Sequence, residues 1–348
     1  MSTIDTKPQI AHRLSLAQGL WLSGILLLVL IALSFWLGKF SVSPGQLFTV
    51  ISAKILRIQH DLPEVIDTVV FQIRLPRVLA AVLVGAALSA AGATYQSLFR
   101  NPLASPDILG VSAGAGLGAA LGIFLSLPLI AIQLLAFVFA IVTVSLVYAI
   151  SRAVRGHDPV LVLILAGVVV GTLAGSCLSL LKYLADPYDQ LPAITFWLLG
   201  SLNAVTTADL ALTGLFVFIG LIPLYLLRWR MNLMSLGDEE ARSLGINTTL
   251  MRVLFIASAT LITAASVAIS GVVGWVGLMI PHIARLLVGP DFVRLLPTSL
   301  LLGAAFLLAV DDVARSVAQV EVPLGILTAF LGAPFFLWLL AHSRRGWN

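Results

Sequence analysis

Gly110-Val111-Ser112-Ala113-Gly114 has the Gly-x-Ser-x-Gly spacing of a nucleophile elbow, in which a strained strand-to-helix turn lifts a serine toward a histidine. The setting excludes that chemistry: the motif opens an apolar run, and the five histidines are spread over distant segments. A phosphate-cradling loop needs Gly-Lys followed by Ser or Thr. Gly38-Lys39 is followed by Phe40, so no ATP site is expected in this chain. Proton- and sodium-coupled carriers keep ionisable groups near mid-membrane. Here the apolar runs are nearly free of carboxylates, and Asp311-Asp312 lies at the end of one. His282 fits a hydrogen-bonded structural residue better than a relay. The lone Cys177 sits in an apolar run and is expected to pack as a small core residue. The chain is therefore expected to hold no catalytic residue, no metal and no cofactor of its own.

The elements that carry these residues are set by composition. Apolar residues make up 59% of 348 positions and charged residues 10%, and the mean hydropathy is +1.06, far from the roughly 25% charged residues of soluble domains. Lipid is the expected solvent. The net charge of +4 comes from basic residues in short loops rather than a stripe, so nucleic acid is not expected as a partner. Ten apolar runs fall at 20–37, 78–98, 108–126, 129–150, 160–181, 208–227, 253–270, 272–288, 296–310 and 324–341. About 20 residues cross a hydrocarbon core, so the fold class is all-α, a polytopic bundle of ten transmembrane helices. The run holding Pro281 is expected to be broken or tilted. With residues 1–19 on the inner side, thirteen of the twenty Lys and Arg fall inside and seven outside, which places both termini in the cytoplasm. One transmembrane domain, 20–341, then lies between the N-terminal segment 1–19 and the tail 342–348, whose Arg344 and Arg345 suit the cytoplasm.

Two patterns stand out inside this bundle. Gly110, Gly114, Gly118 and Gly122 recur every fourth residue in the third run, and Gly85, Ser89 and Ala93 in the second. Such stripes let helix backbones approach closely in lipid, so the second and third helices are expected to pack, and even slide, on one another. In the inner segment 230–250, Leu233, Leu236, Ala241 and Leu244 alternate with charges. Gly237-Asp238 can stop one short helix and start another, and Gly245 can end the second. Two short amphipathic helices would form a knob facing the cytoplasm.

Several blocks in order identify a resemblance: Arg74-Leu75-Pro76-Arg77, Gly85-Ala86-Ala87-Leu88 to Gln96, Arg100-Asn101-Pro102-Leu103-Ala104 to Gly110, Leu165-Ala166-Gly167, Leu236 to Gly245, Gly277-Leu278 to His282, and Leu331-Gly332-Ala333-Pro334. The chain resembles the permease subunits of type II ATP-binding-cassette importers, which take up iron-siderophore complexes, haem and cobalamin. That resemblance implies a bacterial inner-membrane subunit, paired with a second permease subunit, most simply its own copy. It also implies two cytoplasmic ATPase subunits that bind ATP and magnesium, and an external substrate-binding protein. It makes Leu236, Gly237, Glu240, Ala241, Leu244 and Gly245 the residues that couple to the ATPase. Arg74, Arg77 and Arg315 would hold acidic residues of the binding protein, as bidentate guanidinium sites or else as lipid-phosphate anchors. Asn101 and Leu103 would form a cytoplasmic gate. A second gate at Asp158-Pro159-Val160-Leu161 is less polar than the resemblance requires. The implied cargo is a ferric siderophore or haem, with cobalamin or an oxyanion such as molybdate as alternatives. Two other classes stay open from the residues alone: an ion-coupled carrier and a membrane-embedded enzyme.

Overall fold

The computed structural model describes residues 14–38, 40–154 and 158–342; Lys7, Arg13, Lys39, Arg155, Arg344 and Arg345, used in the orientation count, lie outside them. The described residues are helical throughout, with no strand. Helices start where side chains satisfy their free amides. Ser15 with Gln18 boxes the start of α1 (Leu16–Trp36), and Ser43 with Gln46 that of α2 (Pro44–Leu56). A short α3 (Glu64–Asp67) passes through a π-turn, Thr68–Arg74, into α4 (Leu75–Leu98), so the second apolar run is the last part of a 35-residue rod. A 3-10 turn, Pro106–Leu109, precedes α5 (Val111–Phe124) and α6 (Leu129–Ala153).

Asp158 caps α7 (Pro159–Leu184) by accepting from the amides of Val160, at 2.7 Å, and Leu161. That use of Asp158 is a helix start. The outer segment 185–209 contains α8 (Gln190–Leu199), and Thr206 with Asp209 opens α9 (Thr207–Leu226). Two short helices, α10 (Arg228–Met234) and α11 (Asp238–Ser243), lead to α12 (Thr248–Ser270). The chain ends in α13 (Val276–Val288), α14 (Phe292–Ser316) and α15 (Leu324–His342).

All ten apolar runs are helical, and seven helices are long and apolar enough to cross a membrane; α5, α13 and the stretch Leu324–Leu339 of α15 are apolar but shorter. The break expected at Pro281 falls elsewhere. Helix α13 runs through Pro281, and the chain instead unwinds over Gly271–Trp275, where Trp275 takes a left-handed φ of 68°. Central helices α4 and α12 are mostly buried. Outer helix α1 instead shows Trp21, Leu22, Ile25, Leu28 and Val29 to its surroundings. A helix apolar on its exposed face has lipid for solvent. Cys177 is exposed on α7, not packed in the core: the stripe that this helix buries, Leu163 to Ala174, ends one turn before it.

The glycine stripes work, but not between the expected helices. A Cβ at Gly85 would overlap the carbonyl of Gly303, so α4 meets α14 backbone to backbone. At Gly114 and Gly118 a Cβ would collide with Phe139, Thr143 and Leu135, and at Gly122 it would crowd Ile132, all on α6. Gly110 is not on the helical face at all: with φ of 75° it forms the left-handed turn ahead of α5, which a glycine adopts without the Cβ clash of other residues. Close approach needs small residues on the facing helix or a ridge that fits, and α4 and α5 each find these elsewhere. The core is tied by the Tyr95 hydroxyl on α4, 2.9 Å from that of Thr260 on α12.

Candidate functional site

At the inner end, α10 and α11 form the knob expected from the sequence. Gly237 stands between them with φ of 132° and ψ of 162°, a region essentially confined to glycine. Gly245, φ 80°, closes α11: its amide donates to the Arg242 carbonyl at 2.9 Å, and the Ile246 amide to that of Ala241 at 3.0 Å. Ala241 is fully buried and belongs to the same apolar cluster as Met231, Met234 and Met251. Asp238 receives Arg252 of α12 at 2.8 Å. The knob is thus fastened to the bundle on one side. On the other side Leu236 and Leu244 are 56% and 57% exposed, and Glu239 and Glu240 are exposed beside them. The free face of the knob thus sets two exposed leucines among charged side chains.

Close by, the turn after α4 is shaped by its own side chain: the Asn101 Oδ1 accepts from the Leu103 amide at 2.9 Å, and Leu103 is 39% exposed. Asn101 holds the turn and presents Leu103. On the far side of Pro102, His282 packs edge-on to Phe335, its ring centroid 6.3 Å away. Both His282 nitrogens are buried without a hydrogen-bond partner, so the structural hydrogen bond expected of it is not made.

At the opposite end, three arginines that the sequence holds up to 241 residues apart, 315 − 74, come together, two of them, Arg74 and Arg315, beside Gly38. A Cβ on Gly38 would stand 3.0 Å from an Arg74 nitrogen and 3.5 Å from one of Arg315. All three are buried. Arg77 forks onto Asp311, Nε to Oδ2 at 2.9 Å and Nη2 to Oδ1 at 2.9 Å, and reaches Glu321 at 2.7 Å. Arg315 bonds Asp312, the Ser34 carbonyl at 2.7 Å and the Ser34 hydroxyl at 2.6 Å. Arg74 donates to the carbonyls of Phe35 and Phe40. Arg77 and Arg315 thus pair with Asp311, Glu321 and Asp312, and Arg74 with backbone carbonyls. For Arg77 a bidentate carboxylate of the kind expected on another protein is present within the chain.

A family model described as the FecCD transport family matches residues 26–342, which takes in the knob, the turn at Asn101 and the arginine cluster. The chain belongs to the FecCD transport family. It is 45% identical over 279 residues to an iron chelatin transport system permease protein of Helicobacter pylori, covering 80% of this chain and 84% of that one. It is 39% identical to the molybdate import system permease protein MolB of Haemophilus influenzae, over 92% of this chain and 95% of the relative. A solved structure described as an inward-facing conformation of a metal-chelate-type ABC transporter superposes with a TM-score of 0.81 at 38% identity, covering 92% and 98% of the two chains. The protein is a multi-pass membrane permease, as the apolar helices and these relatives require.

Sequence reasoning missed that this FecCD chain answers its own outer arginines. The signal was present: Asp311 and Asp312 precede Arg315 by four and three residues, the spacing at which helical side chains meet.

Proposed function

We propose that this permease is the membrane-spanning subunit of an ATP-driven importer and moves a metal chelate, a ferric siderophore or haem, inward by alternating access. The observation that carries this reading is the knob of α10 and α11, fastened through Ala241 and Asp238 and offering Leu236 and Leu244 outward. Leu236, Gly237, Glu240, Ala241, Leu244 and Gly245 are then its coupling residues: Leu236, Glu240 and Leu244 meet an ATPase that binds ATP and magnesium, and Gly237, Ala241 and Gly245 shape and fasten the knob. Ten helices cross the membrane, the shorter ones helped by local thinning of the bilayer and by neighbouring segments, and both termini lie in the cytoplasm. A second copy completes the pathway, and Asn101 and Leu103 gate its inner end.

The chelatin relative and the metal-chelate structure support the cargo class; the long match to the molybdate permease makes an oxyanion the second reading. Proteoliposomes separate these. Reconstituted with its ATPase subunits, the chain is expected to support ATP hydrolysis and to accumulate labelled ferric siderophore but not molybdate; the chain alone should do neither. Uptake driven by a proton gradient without ATPase would sink the proposal.

We further propose that an external binding protein docks over the arginine cluster by exchanging one of its carboxylates for Glu321. Side-chain exposure singles this residue out: 28% for Glu321 against 0% and 6% for Asp311 and Asp312. Glu321→Gln removes the internal competitor, so affinity for the binding protein should rise about fivefold, roughly 1 kcal/mol. Biolayer interferometry on nanodiscs tests this, and unchanged or weaker binding rejects the exchange.

A further inference from the structure

Beside the knob lies a cleft of about 280 Å³ whose walls include Gln96, Ser97 and Arg100 from the end of α4, Asn232 and Ser235 from α10 and its cap, and Arg285 from α13. Among the described residues, neither the Arg100 nor the Arg285 guanidinium forms an ion pair or a hydrogen bond, whereas Arg77, Arg242, Arg252, Arg294 and Arg315 all have carboxylates. Arg100 has φ of 51° in the left-handed turn that ends α4, where its own amide donates to the Ser97 carbonyl at 3.3 Å and the Asn101 amide to that of Gln96 at 3.1 Å; its guanidinium donates to none of the α4 carbonyls.

The nearby carboxylates do not answer these cations. Asp291 is occupied by the Asn232 amide at 2.6 Å, the Val293 amide and Arg294; Glu240, whose carboxylate lies on the same side of Gly237 as Arg100, is exposed to solvent and is not paired with it.

A third group identifies the kind of anion. Gln96 is 1% exposed, and its Nε2 donates to the Leu278 carbonyl at 3.0 Å. A carbonyl can only accept, so that bond settles the amide's orientation. Oε1 is left buried without a donor. Two free guanidiniums call for oxyanion oxygens, and an orphan acceptor calls for a proton on the same ligand.

We propose that this cleft binds a phosphate group that keeps a P–OH, either inorganic phosphate or the phosphomonoester headgroup of a lipid. The Arg100 guanidinium reaches to 3.6 Å from where a Gly237 side chain would begin. A bound phosphate therefore ties the end of α4, next to Asn101, to the knob and to α13.

The full chain, delipidated in detergent, is titrated with inorganic phosphate and with sulfate at pH 7 by calorimetry. In parallel, nanodiscs of phosphatidic acid or of phosphatidylcholine alone are examined by native mass spectrometry. Saturable phosphate binding is expected, weakened at least about tenfold by Arg100→Gln or Arg285→Gln and partly kept by Arg285→Lys. It should be untouched by Arg152→Gln, at an exposed arginine outside the cleft. Sulfate, with no proton at this pH, should bind more weakly. Retention of phosphatidic acid alone, lost in the same two variants, assigns the ligand to lipid. Absence of saturable binding in both arms, or equal binding by the parent and Arg285→Gln, overturns the proposal. The measurement needs neither ATPase nor cargo, so its outcome is separate from that of the transport reading.

Discussion

Asp311→Ala is expected to lower the unfolding free energy of the permease by about 3–5 kcal/mol, the usual cost of removing one partner from a buried ion pair. Asp311 is fully buried and receives three hydrogen bonds from Arg77, and its Oδ2 lies 3.9 Å from Arg315. Without it, Arg77 keeps Glu321 and Arg315 keeps Asp312, so the cluster changes from balanced to one positive charge in excess. Water reaches the cluster poorly, since the three guanidiniums are almost wholly covered. The loss would fall on the join between α4 and α14, which the meeting of Gly85 and Gly303 also holds. Steric trapping in bicelles measures the free energy. A double-mutant cycle with Arg77→Ala should show favourable coupling above about 1 kcal/mol, because the second change removes the charge that the first one strands. A cost within about 1 kcal/mol for Asp311→Ala would mean that the pair is screened, and the same screening would make a binding protein's carboxylate a weak ligand there.

What could be read from residue order follows from how local each feature is. Ser15, Ser43, Asp158 and Thr206 start helices through bonds to residues two or three positions on, so their helices were open to a reader of the chain. The knob was equally local, since Gly237 and Gly245 act on the backbone beside them. Partner choice was not. A glycine stripe says that some backbone comes close; that Gly85 meets Gly303 and Gly118 meets Leu135 is decided by the packing of the whole bundle. The outer arginines show the same limit from the electrostatic side. An arginine at a span end usually signals an exposed cation, and only the fold brings Arg77 onto Asp311 across 234 residues. Helix α8 and the π-turn before α4 fall in segments read as connections, because short helices leave little periodicity to detect.

Replacing both Leu236 and Leu244 with Asp should abolish capture of the ATPase. Each leucine is more than half exposed, so the substitutions leave the permease core intact; the inward-facing anchor of the knob is Ala241, not either leucine. A buried apolar anchor at an interface is worth about 2 kcal/mol, so losing two weakens association by about three decades. Aspartate adds to that loss the cost of desolvating a carboxylate in an apolar groove. Glu240→Arg separates the two effects: it reverses one charge, keeps both leucines, and should weaken association about tenfold if a cation of the ATPase answers Glu240. Co-purification and ATP hydrolysis in proteoliposomes give the readout, with the unfolding free energy as the control for folding. Unaltered capture by the double leucine variant would place the ATPase elsewhere on the inner face and leave the knob without a partner. Lost capture at full stability would make α10 and α11 the point where nucleotide-driven motion enters the helices. From there its path is short: Gly237 neighbours Arg100, and Arg100 adjoins Asn101 at the turn that presents Leu103.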